Sequence, residues 1–278
     1  MNLFLLNINA LKAAIDHCDK HCVKMILETT QLLYSAWHVN RPGCLEISDN
    51  IDKCPHKPYK CTHKNHPSAV WVREHPNHYT WALRLANALC SEYNRRYGKI
   101  HKCQSHIDRL STLGFPKPKS SFVDPRKQEL PCRKTATVGV PQGCKYFYCA
   151  INDEVFDKCA VHDKHGRLHG VKTYRNYYKT KPTEKWTLKW NRSESNAPRW
   201  FTRSDNSTQL EVGDTVIKIS GKHQGRKAIV THIVRTNGRK KKIDKIRAKW
   251  VNFSKGPYLQ RASNFVLFEE TLESMWKK

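Results

Sequence analysis

Asp19-Lys20-His21-Cys22-Val23-Lys24-Met25-Ile26-Leu27-Glu28 brings an imidazole, an amine and a carboxylate together within ten residues. Read as a helix, His17, His21, Lys24, Glu28, Gln31, Ser35 and His38 form one polar stripe, because steps of three and four residues stack on one face. Leu11, Ile15, Cys22, Ile26 and Leu33 fall on another face, suited to burial. The wet side of an ordinary surface helix also reads as a polar stripe. Here, however, the stripe is made of imidazoles, an amine, an amide and one carboxylate, groups that move protons and stabilise charge, rather than solubilising Glu/Lys pairs. Glu28 is its only acidic member, and Lys24 sets a cation one turn before it. His21 and Glu28 lie two turns apart, about 10 Å along the axis, so they can flank one bound group without bonding each other. A carboxylate so placed can stabilise oxocarbenium-like charge or carry a proton.

The elements that must hold these groups follow from punctuation and periodicity. The opening Met1-Asn2-Leu3-Phe4-Leu5-Leu6 lacks the basic start of an export signal and reads as a buried strand. One long helix is expected from near Leu11 to near Val39, ended by Arg41-Pro42-Gly43. Residues 44–67 carry no periodicity and read as a loop. A second long helix is expected over Pro76 to Tyr97: Pro76 suits a first helical position, Leu83, Ala86, Cys90, Tyr93 and Tyr97 recur at helical spacing, and Gly98 closes it. Residues 113–145 read as an extended connection, and Tyr146 to Trp200 as an aromatic, basic segment with a short helix near Tyr174. From Ser204 the composition changes to alternating β-branched residues broken by glycines, the pattern of short antiparallel strands. The expected organisation is a mainly helical domain over residues 1–206 and a small β-barrel over 207–278.

Charge narrows the function classes. The 278 residues carry 50 Lys+Arg against 24 Asp+Glu, a net charge of +26, far beyond what solubility requires. Nucleic acid is the natural counterion, with a membrane surface as the weaker alternative. Residues 1–60 hold 7 basic and 6 acidic side chains, so the excess lies downstream. No apolar run reaches membrane-spanning length. The 11 cysteines form no regular framework, and with no export signal they read as reduced thiols in a cytosol-like compartment.

Further constellations suit such a partner. Thr62-His63-Lys64-Asn65-His66-Pro67 packs hydrogen-bonding side chains into a pre-proline turn that can read a base edge, clamp a phosphate or simply turn the chain. Trp71 and Arg73 follow with a stacking surface and a cation. Tyr174, Tyr177, Tyr178, Trp186, Trp190 and Trp200 alternate with Arg175, Lys179, Lys181, Lys185, Lys189 and Arg199, so bases can stack while cations hold phosphates, although such aromatics also fill cores. Arg239-Lys240-Lys241-Lys242 after Asn237-Gly238 reads as a charged hairpin tip for phosphate contact. Cys54-Pro55-His56 with Cys61-Thr62-His63, and Cys149, Cys159, His162, His165 and His169, hold zinc-type donors without paired knuckles, so neither a metal nor a cofactor is expected.

Asp19, His21 and Glu28 reproduce the D-x-H-x6-E spacing of the phage-type pyrimidine-dimer DNA glycosylases, the endonuclease V type. The decapeptide from Asp19 to Glu28, with Thr62–Pro67, Cys90-Ser91-Glu92-Tyr93-Asn94-Arg95-Arg96-Tyr97-Gly98-Lys99 and Tyr174-Arg175-Asn176-Tyr177-Tyr178, more closely resembles a broader group of phage and large-virus proteins described as such glycosylases. The resemblance covers about residues 1–203. It implies Glu28 as the catalytic carboxylate, His21 beside a flipped nucleotide, and an α-amine nucleophile at the chain start. In the enzymes that amine is exposed by methionine removal. Asn2 is too large for this, so the amine belongs to Met1 here, and Leu27 stands where the enzymes carry a basic residue. Lys24, Gln31, His63, Asn65, His66, Arg73, Arg175, Tyr177, Tyr178, Lys179 and Arg239 to Lys242 are the expected DNA contacts, on a duplex with one pyrimidine flipped. Gly213-Asp214-Thr215-Val216 and Ser220 to Gly225 resemble a KOW-type, SH3-like barrel. Excision of a damaged pyrimidine in repair is the leading expectation. A transferase acting at the pyrimidine C5 position, and a DNA-binding protein without activity, are the alternatives.

Overall fold

A computed structural model describes residues 2–45, 57–118, 132–182 and 187–202, together with the backbone of five strands between Thr215 and Leu267. The chain divides into two units, Met1–Thr202 and Arg203–Lys278.

The first unit is mainly helical: α1 Ala10–Asp16, α2 Asp19–Asn40, α3 Pro67–Glu74, α4 Pro76–Tyr97, α5 Gln104–Leu113, α6 Asp153–Cys159, α7 Gly170–Lys179 and α8 Arg199–Thr202. Among its described residues the sheet is a single antiparallel pair, β1 Thr135–Ala136 with β2 Phe147–Tyr148. Helix α4 is the central post, packed against α1, α2, α3 and α5. Its ends obey local rules. Pro76 takes the first turn, where a missing N–H costs nothing, the His75 side chain accepts from the Asn77 N–H, and Gly98 closes it at φ +64°. The face it buries is Trp81, Ala82, Leu85, Ala86 and Leu89; Leu83, Tyr93 and Tyr97 are only half-buried.

Two expectations are corrected here. The helix expected from Leu11 to Val39 is two helices, broken at His17-Cys18, where both residues are extended. The cause is Arg96 of α4, which takes the Ile15 and His17 carbonyls through its two Nη atoms, at 3.0 and 2.9 Å. The break resets the helical phase. Short α1 faces α4 with Ala10, Ala13 and Ala14, and leaves Leu11 64% and Ile15 55% exposed, whereas Cys22, Ile26 and Leu33 on α2 are buried. The second correction is the opening strand. Leu3, Phe4, Leu5 and Leu6 are buried, but they run as an extended segment with no ladder partner among the described residues. Its polar groups turn to side chains instead, the Leu6 carbonyl accepting from Arg175 Nε at 2.9 Å.

In the second unit, β3 Thr215–Lys218, β4 Lys227–Arg235, β5 Ile243–Trp250, β6 Tyr258–Arg261 and β7 Phe265–Leu267 pair antiparallel in the order β6-β5-β4-β3-β7. Arg239 to Lys242, between β4 and β5, lie outside the described residues.

Candidate active site

Helix α2 presents the stripe, and its neighbours decide which part stays open. Ser35 is buried with its hydroxyl on the Thr62 carbonyl at 3.2 Å, and His38 Nε2 donates to the Tyr59 carbonyl at 2.8 Å. The segment 57–66 therefore crosses the C-terminal half of the stripe. His17 drops out at the other end, buried in the α1–α2 joint with Nδ1 on the Ala13 carbonyl at 2.6 Å. What remains accessible is His21, Lys24, Glu28 and Gln31, half-buried except for exposed Lys24.

Glu28 is the focus. One carboxylate oxygen, Oε2, accepts the Asn2 backbone N–H at 2.9 Å, and the other, Oε1, lies 3.3 Å from Lys24 Nζ. Asn2 is fixed in turn. Its Nδ2 donates to the Ala150 carbonyl at 2.9 Å, and its Oδ1 accepts from the Tyr174 hydroxyl at 3.0 Å and from the Leu3 N–H at 2.8 Å. The Tyr174 hydroxyl also accepts the Ala150 N–H at 3.1 Å. The chain start is thus bolted beside Glu28 by a buried tyrosine. Met1 lies outside the described residues.

The loop before α3 brings imidazoles to the same end. His63 and Asn65 are exposed, with His63 in the left-handed region at φ +50°. His66 caps α3, its Nδ1 accepting the Ser68 N–H at 3.2 Å. Burial, the positive chain terminus and His63 push the His66 pKa down, against an upward pull from Glu28.

His21 sits one side of Phe4, ring centroids 4.9 Å apart, with Nδ1 2.7 Å from the Tyr178 hydroxyl. Burial, then the charges of His17, Lys181, Lys24 and Lys20, lower its pKa to about 3, so it is an uncharged imidazole at neutral pH.

No protein-family model, curated protein or solved structure matches this chain. The functional reading therefore stands on these residues and their geometry.

Several expected contacts carry structural duties. Tyr174 and Tyr178 are fully buried and Trp190 nearly so, with Trp190 Nε1 donating to the Asp16 carbonyl at 2.9 Å. Trp71 is buried, stacked on His78 at 4.3 Å, with Nε1 on the Tyr146 carbonyl at 2.8 Å, so it offers no base a stacking face. Arg73 donates to the Lys64 carbonyl and so holds the loop. Arg175 ties the opening segment to Trp200, its guanidinium 5.2 Å from that ring centre, and lies 3.8 Å from Asp16. Tyr177 is half-buried, with Lys181 on its hydroxyl at 2.6 Å and over its ring at 4.0 Å. Lys179 is half-buried on α7.

Asp19 and the Cys90–Lys99 motif do structural work at the joint. Arg96 donates to Glu92 at 2.6 Å and Asp19 at 2.9 Å, and Asp19 also accepts the Asn191 and Arg192 N–H groups at 2.8 and 2.7 Å. Burial raises the Glu92 pKa, but the bonds from Arg95 and Arg96 outweigh it and leave the carboxyl below its ordinary value.

Sequence reasoning missed Asn2 as an anchor, because its partners are 148 and 172 residues away. It also missed a basic cleft of about 310 Å³ at the start of α2, lined by Cys18, Asp19, Lys20, Thr187, Lys189 and Arg192. Among the described residues no group of three or more His, Cys, Asp or Glu side chains converges as a metal site, and the nine cysteines whose side chains are described are free thiols. Cys54 and His56 lie outside the described residues.

Proposed function

We propose that this protein is a DNA enzyme that flips a pyrimidine and acts at its glycosidic bond. The observation that carries the reading is the 2.9 Å hydrogen bond from the Asn2 N–H to Glu28, which pairs a carboxylate with the chain terminus. A base inside the stack hides its C1′, so the nucleotide must swing out to reach such a pair. An α-amine has a pKa of roughly 7.7–8.0, so a useful fraction is neutral at physiological pH and can attack C1′. The amine nitrogen bonds C1′ as the C1′–N1 bond breaks, the electron pair leaving on the base, which then takes a proton. Loss of the nitrogen proton with opening of the ring at O4′ gives an imine. In this reading Glu28 stabilises the positive charge that builds at the sugar and carries the proton to O4′.

Cations suit the path of the strand. Lys24 is one turn from Glu28, and the cleft with Lys20, Lys189 and Arg192 begins eight residues before it, about 12 Å along α2. The phosphates flanking a flipped nucleotide meet positive charge on this route. The strands from Thr215 suit an SH3-like barrel of KOW type that adds further phosphate contacts, with the cations Arg239 to Lys242 in the same unit.

Asn2 favours a second reading. A side chain with three hydrogen bonds is an anchor, and Asn2 is too large for methionine removal. A scaffold that flips a pyrimidine and modifies its C5 group needs the anchor and not the amine. Glu28→Gln tests the leading reading. The amide can still accept the Asn2 N–H, so the melting temperature should stay within about 2 °C, a surface change of under ~0.5 kcal/mol. Release of free base from damaged duplex should fall at least 100-fold, in the range of general acid–base catalysis. Full activity, or unfolding, would remove Glu28 from the chemistry.

A further inference from the structure

We infer that Tyr178 is a positioning residue that fixes His21 as the Nε2–H tautomer, so that His21 meets its ligand as an uncharged donor to a base carbonyl oxygen rather than as a cation to a phosphate. The argument is a count of protons. The Tyr178 hydroxyl is fully buried and has one hydrogen. Its oxygen accepts the Cys18 backbone N–H at 2.8 Å, a bond whose direction is fixed because an amide nitrogen can only donate. Two groups lie against the hydroxyl as takers for its hydrogen: His21 Nδ1 at 2.7 Å and the Cys18 thiol. Sulfur is a weak acceptor and a bare imidazole nitrogen a good one, so the hydrogen goes to Nδ1. The His21 proton is then on Nε2, the nitrogen remote from Tyr178.

The surroundings match that role. The imidazole packs against the Phe4 and Tyr178 rings, at 4.9 and 5.0 Å, and those two rings lie 5.6 Å from each other, so the three form one half-buried aromatic cluster. Charge is already provided around it: Lys24, Lys20 and Lys181 all repel a second proton on the ring. A phosphate in this region has lysines to meet, whereas a pyrimidine carbonyl needs a directed donor. The ligand named here rests on the DNA reading above; the tautomer does not.

The experiment has two arms. Histidine-labelled full-length protein is examined by long-range 1H–15N NMR at pH 5.5 and 8, with His21 assigned as the signal lost in His21→Gln. A bare Nδ1 and a protonated Nε2 at both pH values are expected in the unmodified protein. A proton on Nδ1, or on both nitrogens at pH 5.5, would overturn the inference, and neither result depends on Tyr178→Phe folding. Where Tyr178→Phe folds, its His21 should lose this fixed pattern. The second arm measures binding of a duplex carrying one thymine dimer. His21→Ala should weaken binding about tenfold, the scale of one neutral hydrogen bond, and leave the salt slope unchanged. A slope reduced by about 0.9 would mean a cation on a phosphate and overturn the assignment of ligand. Unchanged affinity in His21→Ala would overturn the ligand as well, while the NMR result would still decide the tautomer. A duplex that does not bind at all removes the DNA reading, and with it the ligand named here.

Discussion

His17 shows how much one buried imidazole contributes to the behaviour of this chain. Its Nδ1 must donate to the Ala13 carbonyl, so Nε2 is bare, and Nε2 is buried without a partner among the described residues. Protonation would bury an unpaired N–H, and burial first, with Arg96 nearby, lowers the pKa to about 4 despite the Ala13 bond. Above pH 6.5 both the folded and unfolded chain hold it neutral, and its contribution is complete. Between pH 6.5 and about 4 only the unfolded chain takes the proton, so stability falls as pH falls, by roughly 1.4 kcal/mol per pH unit. His17→Phe should remove that share of the slope in urea titrations run from pH 7 to 4.5. His21 and His78 are shifted the same way, so the slope shrinks rather than vanishes. A slope identical to that of the unmodified chain would show that His17 titrates normally when folded. The sequence placed His17 on the polar stripe with His21, Lys24, Glu28 and Gln31. Four of these five share an accessible face, and the fifth left it because a distant arginine broke the helix between them. Asn2 was legible only as a residue too large for methionine removal. Its hold on Glu28 comes through Tyr174 and Ala150, contacts that no local pattern records.

Helix α4 was legible from end to end, since Pro76 and Gly98 punctuate it locally. The α1–α2 joint was not, because His17-Cys18 carries neither proline nor glycine and the break is made by Arg96 from 79 residues away. Helices α3, α5 and α6 were missed for a related reason: at 8, 10 and 7 residues they are too short for periodicity to separate from loop. The joint also carries the clearest energetic test. Arg96 is buried with Glu92 and partners Asp19, so Arg96→Met leaves Glu92 to Arg95 alone, takes the arginine from Asp19 and removes this donor from two carbonyls. Removing one member of such a network costs on the order of 3–5 kcal/mol. The variant should lose that much in chemical denaturation and should loosen the start of α2, with the Lys20 cleft and His21 on it. A loss under 1 kcal/mol would mean that the helices hold their angle without Arg96.

At the scale of the molecule, charge and division into units make the prediction. No helix among the described residues is long and apolar enough to cross a membrane, and the net charge of +26 favours a polyanion. DNA binding should therefore weaken steeply with salt, roughly 0.9 log unit per phosphate contact for each decade of salt. Removing residues 203–278, the second unit, should lower affinity and flatten that slope while leaving chemistry on short duplexes intact. An unchanged slope would assign the strands after Thr215 to another partner. The alternation of β-branched residues there was legible, whereas the order of the strands, with β7 beside β3, depends on long-range pairing that alternation does not encode. The central claim, that Glu28 and the chain terminus form one reactive pair, has a direct chemical readout. Borohydride added during turnover on dimer-containing duplex should trap a covalent protein–DNA complex, and blocking the amino terminus beforehand should abolish it. DNA that instead gains mass on a pyrimidine, with no trapped complex and no strand break, would contradict the account.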